Sequence, residues 1–120
     1  MFGLSNNVRY FMCQHPVNMR KGIDSLFNLI LAETSYSPIT GDVFVFFSKN
    51  RQTVKLLKWD VDGFLLYQKR LEKGSFETPR RNAETGYYEL SWETFSLIMS
   101  GVSIDSVQFR KRFRSHLICR

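Results

Sequence analysis

Lys55-Leu-Leu-Lys-Trp-Asp-Val-Asp-Gly-Phe-Leu-Leu-Tyr-Gln-Lys-Arg-Leu-Glu-Lys-Gly-Ser-Phe76 decides the fold of this chain. Thr53 to Trp59 has the β-branched, apolar and aromatic content of a strand, and Phe64 to Lys69 has the same character. Between them lies Asp60-Val-Asp-Gly63, whose Asp62-Gly63 pair supplies residues that tolerate the positive φ of a hairpin turn. Leu56 is adjacent to Leu57 and Leu65 to Leu66, so apolar and polar positions do not alternate cleanly. That pattern predicts a sheet covered on both faces. Lys55, Lys58, Lys69, Arg70 and Lys73 set cations on or just after the hairpin.

Working outward, Asp42 to Ser48 is a strongly apolar strand, and Lys49-Asn-Arg51 is a short basic turn leading into Thr53. Residues 42–70 therefore form a three-strand meander. Val8 to Cys13 reads as a first strand, ended at the turn former Pro16. Between them, Ile23, Leu26, Phe27, Ile30 and Leu31 recur at helical spacing, predicting an amphipathic helix over 19–33 with Asn18 as N-cap. Tyr87 to Leu90 is a short strand. Ser91 then caps a helix over 92–99 whose Trp92, Phe95, Ile98, Met99 and Val102 line one face, with Gly101 as its stop. The expected architecture is one α+β domain over residues 1–107, a mostly antiparallel sheet with two flanking helices. A basic tail, 108–120, follows it.

The composition agrees with a folded domain. Of 120 residues, 43% are apolar and 15% aromatic, which excludes a disordered chain. No apolar run approaches membrane-spanning length, and the N-terminus lacks the charged-then-apolar layout of a secretory signal. Two cysteines, Cys13 and Cys119, cannot build a disulfide framework, and a reduced, cytoplasmic protein is the expectation. The net charge of +6 is unevenly placed. Residues 1–107 hold 12 bases against 11 acids, so the tail carries the excess through Arg110, Lys111, Arg112, Arg114 and Arg120. Gln108-Phe-Arg-Lys-Arg-Phe-Arg114 interleaves aromatics with cations, a pattern that suits phosphate neutralisation with base stacking. The alternative is a solvated basic end that binds nothing in particular.

Arg20 and Lys21 fall in the first turn of the expected helix, where the dipole disfavours cations. Two accounts are open. Backbone N–H groups and both side chains converge on an anion, or the pair is neutralised locally by Asp24.

Four blocks run in order: Asn18-Met-Arg-Lys-Gly22 with Asp24 and Leu26; Gly41-Asp-Val-Phe-Val-Phe46; Lys55 to Phe64; and Lys69 to Phe76 with Pro79. Together, over residues 8–103, the chain resembles the small accessory protein of bacterial insertion sequences of the sixty-six family. That is the second-reading-frame, TnpB-type protein encoded beside a DDE-type transposase. The resemblance implies an accessory role in DNA transposition, with DNA and that transposase as partners. One residue departs from the pattern: the family usually carries an acid before Met-Arg-Lys-Gly, and this chain has Asn18. The tail after Phe109 lies outside the matched blocks.

No catalytic site is expected. Asp60 and Asp62 are spaced to hold Mg²⁺, but turn formation accounts for them, and as a calcium loop the stretch has Leu65 and Leu71 where glycine and glutamate belong. Cys13, His15, His116 and Cys119 supply zinc-type ligands at a spacing that is not a usual finger, so two unrelated thiols and two unrelated imidazoles are the simpler account. Neither metal nor cofactor is expected. The reading that follows is a non-catalytic accessory factor contacting DNA through Arg20, Lys21, Lys69, Arg70, Lys73, Arg110, Lys111, Arg112 and Arg114. The alternative is an interaction module that docks on the transposase.

Overall fold

The structure, a computed structural model, describes residues 3–79 and 86–101. Five strands form one sheet in the order β4-β3-β2-β1-β5. The strands are β1 (Tyr10–Cys13), β2 (Val43–Phe47), β3 (Thr53–Asp60), β4 (Gly63–Arg70) and β5 (Tyr87–Leu90). Two helices accompany them, α1 (Ile23–Glu33) and α2 (Trp92–Met99). The expected α+β architecture holds. Pairing is antiparallel except between β1 and β2, which run parallel in the register Tyr10↔Val43. The helix between those two strands makes this possible, because a parallel pair needs a long crossover.

Side-chain alternation divides the core in two. Tyr10, Met12, Val43, Val45, Phe47, Val54 and Leu56 pack with Phe95, Ile98 and Met99 of α2. Phe11, Cys13, Phe44, Phe46 and Leu57 pack with Leu26 and Ile30 of α1. Adjacent Leu56 and Leu57 thus serve opposite faces, and every residue of β2 is buried. Tyr10 stacks on Phe95 at 4.2 Å between ring centroids, fixing α2 on its face.

α1 lies across the strands. The loop before it sits over Lys55 of β3, Phe27 meets Phe64 of β4 edge-on at 5.5 Å, and Glu33 reaches His15 just beyond β1. The helix begins at Ile23, four residues later than the periodicity predicts, with Gly22 as N-cap and no side-chain cap. Asn18 instead closes a turn of its own. Its side chain accepts from the Arg20 amide at 2.8 Å and its carbonyl from the Lys21 amide at 3.1 Å. Arg20 and Lys21 accordingly precede the helix rather than occupy its first turn. Leu31 is 51% exposed. It lies about 120° around the helix from the midpoint of Leu26 and Ile30, beyond the sheet-facing stripe.

Ser91 caps α2 as expected, its hydroxyl accepting from the Thr94 amide at 3.1 Å. In the β3–β4 hairpin Asp60 pairs with Gly63, leaving Val61-Asp62 as a two-residue loop. The left-handed residue is Val61, φ 51°, rather than the expected Asp62-Gly63 pair. At the same end of the sheet, Arg9 ties the start of β1 to the start of β2 through two hydrogen bonds to the Asp42 carboxylate, at 3.2 and 2.8 Å. That hydrogen bonding raises the Arg9 pKa.

Candidate nucleic-acid interface

The basic residues of the meander separate into buried and exposed sets. Lys55 and Lys58, two of the five cations on or just after the hairpin, are only 6% and 8% exposed. The Lys55 ammonium donates to the carbonyls of Met19 and Lys21, and that of Lys58 to the Trp59 carbonyl. Lys69 also has an internal partner, because its Nζ donates to the Met99 carbonyl at the end of α2 at 2.8 Å. A cation there satisfies a terminal carbonyl and complements the negative end of the helix dipole.

Four exposed cations gather where β2 leaves the sheet and β3 enters it. Lys49 and Arg51 stand on the β2–β3 turn, and Arg70 lies opposite Thr53 in the β3–β4 register. Lys73 follows on a segment bound to that turn by Leu71 N–H to the Gln52 carbonyl, 2.8 Å, and Phe76 N–H to the Arg51 carbonyl, 2.6 Å. The turn itself is internally wired. Asn50 Oδ1 accepts from the Gln52 amide at 3.0 Å and from the Ser48 hydroxyl at 2.8 Å. Arg51 takes φ 56° and donates from its guanidinium to Thr78 Oγ1.

A shallow groove of about 700 Å³ runs between this turn and the loop after β1, lined by Pro16, Val17, Asn18, Met19, Ser48, Lys49 and Asn50. Val17 N–H on the Phe47 carbonyl, 2.9 Å, joins its two walls. Arg20 continues from the Met19 wall and is exposed; Lys21 is half-buried, its carbonyl held by Lys55. The structure thus groups Lys49, Arg51, Arg70 and Lys73 at one end of the sheet and places Arg20 beside the groove that reaches Lys49. Glu72 and Glu77 lie among them in sequence and moderate the local charge. Lys49 and Arg51 were visible in the sequence as a basic turn, but only strand register brings them to Arg70. Arg110, Lys111, Arg112 and Arg114 lie outside the described residues.

Asp60 and Asp62 sit at the opposite tip of the sheet. They join no group of three potential metal ligands among the described residues.

Such a scaffold, a mixed sheet between two helices with four exposed cations at one end, belongs to the class of small α+β proteins. Comparison with known sequences takes the assignment further. The profile of the IS66 Orf2 like protein family matches residues 8–109, and the chain belongs to that family. It is 33% identical over 102 residues to the uncharacterized protein y4jC of Sinorhizobium fredii (strain NBRC 101917 / NGR234), covering 85% of this chain and 86% of that one. The uncharacterized protein y4hO of the same strain is 30% identical over 102 residues, covering 85% and 87%. No solved structure matches. The family ties the chain to insertion-sequence transposition. No helix among the described residues is long and apolar enough to cross a membrane.

Proposed function

We propose that this protein is a non-catalytic accessory factor for transposition of its insertion sequence, binding DNA through its basic residues and acting with the DDE-type transposase of the same element. The observation that supports it is the gathering of Lys49, Arg51, Arg70 and Lys73 at one end of the sheet, beside the groove flanked by Arg20 and Lys21. Cations clustered on a rigid turn neutralise phosphates without paying for loop ordering, and the tail cations Arg110, Lys111, Arg112 and Arg114 extend the footprint. Lys69 joins this set only where its ammonium leaves the Met99 carbonyl.

The test is the salt dependence of affinity for duplex DNA, measured on the full chain and on a chain cut after Val107. Four tail cations that each neutralise a phosphate add about −3.6 to the slope of log affinity against log salt. Losing most of that slope on truncation, with the fold retained, is the expected result. An unchanged slope makes the tail a bystander.

A second reading is docking on the transposase with incidental DNA contact. Leu31 and Ile39 favour it, at 51% and 54% exposed, on the last turn of α1 and the loop after it. Leu31→Glu and Ile39→Glu would then abolish transposition while leaving the DNA salt slope unchanged.

A further inference from the structure

At the C-terminal end of β1, three potential metal ligands from two elements converge. One donor atom each from Cys13, His15 and Glu33 lies within 4.8 Å of the other two. The thiol is buried, while the imidazole and the carboxylate stand at the surface, so an ion has an entry path.

His15 is set between two hydrogen-bond acceptors. Its Nδ1 lies 3.1 Å from the Pro16 carbonyl, and its Nε2 lies 2.8 and 2.9 Å from the two Glu33 oxygens. Both neighbours are acceptors, and a neutral imidazole has one N–H. If Nδ1 donates to Pro16, a cation must stand between Nε2 and Glu33, either a second proton or a metal ion. Nδ1–H on a main-chain carbonyl is also the outer contact that orients a metal-bound histidine.

One further group favours the metal over the proton, the Tyr87 hydroxyl that faces the Cys13 thiol. Cys13 Sγ donates to the His15 carbonyl at 3.5 Å, an ordinary length for a thiol, and faces the Tyr87 hydroxyl. The Tyr87 hydroxyl is fully enclosed, makes no hydrogen bond, and has the Cys13 thiol and Glu33 carboxylate as its polar neighbours. Tyr87 as a whole is 5% exposed. An imidazolium would leave this hydroxyl without an acceptor. A metal-bound thiolate would accept from the hydroxyl, giving the buried O–H its partner.

We infer that Cys13, His15 and Glu33 bind one zinc-class divalent cation through Sγ, Nε2 and a carboxylate oxygen, with the Tyr87 hydroxyl donating to the bound thiolate. The soft thiolate with an imidazole and one carboxylate selects zinc or cobalt over magnesium or calcium. Three protein ligands leave a fourth position for water. Tetrahedral binding needs about 3.3 Å between nitrogen and oxygen, so His15 and Glu33 part by about 0.5 Å as the ion enters. Binding releases the Cys13 proton, and the proton on Nε2 where the ring is charged. The ion clips the end of α1 to the junction of β1 and β5.

The test uses the full chain, untagged, stripped with chelator and kept reduced. Cobalt titration is expected to saturate at one equivalent with thiolate-to-cobalt charge-transfer absorption in the near ultraviolet, which zinc then displaces. Zinc should also raise the melting temperature by several degrees. Cys13→Ser should abolish the charge-transfer band, Cys119→Ser should leave it unchanged, and His15→Gln should weaken cobalt binding more than about tenfold. Absence of the band in the wild-type chain overturns the inference. So does a band that survives Cys13→Ser and disappears in Cys119→Ser. His15 is exposed, so His15→Gln decides the matter even if Cys13→Ser does not fold, and wild-type cobalt affinity in His15→Gln overturns the site.

Discussion

Lys55, buried in the middle of β3, donates from its ammonium to the main-chain carbonyl of Lys21 at 2.8 Å, with the Met19 carbonyl on the same nitrogen at 2.7 Å. A cation on the sheet thus holds the backbone of the Asn18-to-Gly22 element and leaves the Arg20 side chain on the outside. Two of the sequence blocks that carry the family resemblance are joined by this one ammonium.

Replacing that ammonium tests how much the loop depends on it. Lys55→Met keeps the apolar stem and removes two charge-assisted hydrogen bonds, leaving two half-buried carbonyls without a donor. The expected cost is about 1.5–3 kcal/mol by denaturant unfolding, with faster amide exchange confined to residues 18–22. A variant as stable as the wild type, with unchanged exchange there, would show that the loop is held by other contacts.

Arg20→Gln with Lys21→Gln addresses the groove. Both residues precede α1, so neither opposes the dipole within the helix and stability should change by less than about 0.5 kcal/mol. If each neutralises a phosphate, the DNA salt slope becomes shallower by about 1.8. A marked drop in melting temperature with unaltered DNA binding would instead assign the pair to the loop's own structure.

Lys69 and its neighbours separate structural from binding cations. Lys69→Met removes the donor to the Met99 carbonyl and should cost about 0.5–1.5 kcal/mol. Arg70→Gln with Lys73→Gln should leave stability within about 0.5 kcal/mol and lower the salt slope by about 1.8. If Lys69→Met lowers the slope without lowering stability, its role is on DNA and the contact with α2 is incidental.

The hairpin tip offers a gain in stability. Val61 is β-branched, 88% exposed and held at φ 51°, a conformation that costs an L-residue about 1–2 kcal/mol. Val61→Gly removes that cost but adds freedom to the unfolded chain, leaving a net stabilisation of about 0.5–1 kcal/mol. Thermal unfolding measures it; a destabilised variant would mean that Val61 does not occupy the left-handed region.

The sequence by itself determined the strands of the meander, the capped second helix, the two-sided core and the family. Local signals suffice for these: Leu56-Leu57 must serve two faces, Ser91 precedes its helix by one residue, and the four family blocks lie in linear order. Local pattern places the start of α1 four residues early because Met19, Arg20 and Lys21 have ordinary helix propensity. Asn18 closes a separate turn there, and Lys55, 34 residues beyond Lys21, takes its carbonyl. Only the tertiary structure could decide which cations are free, since Lys55, Lys58 and Lys69 look like Arg70 and Lys73 until register assigns each a face. The meeting of Cys13 and His15 with Glu33 was equally hidden. It depends on α1 crossing the sheet and bringing its last residue to the end of β1, a helix orientation set by packing against five strands rather than by any local pattern.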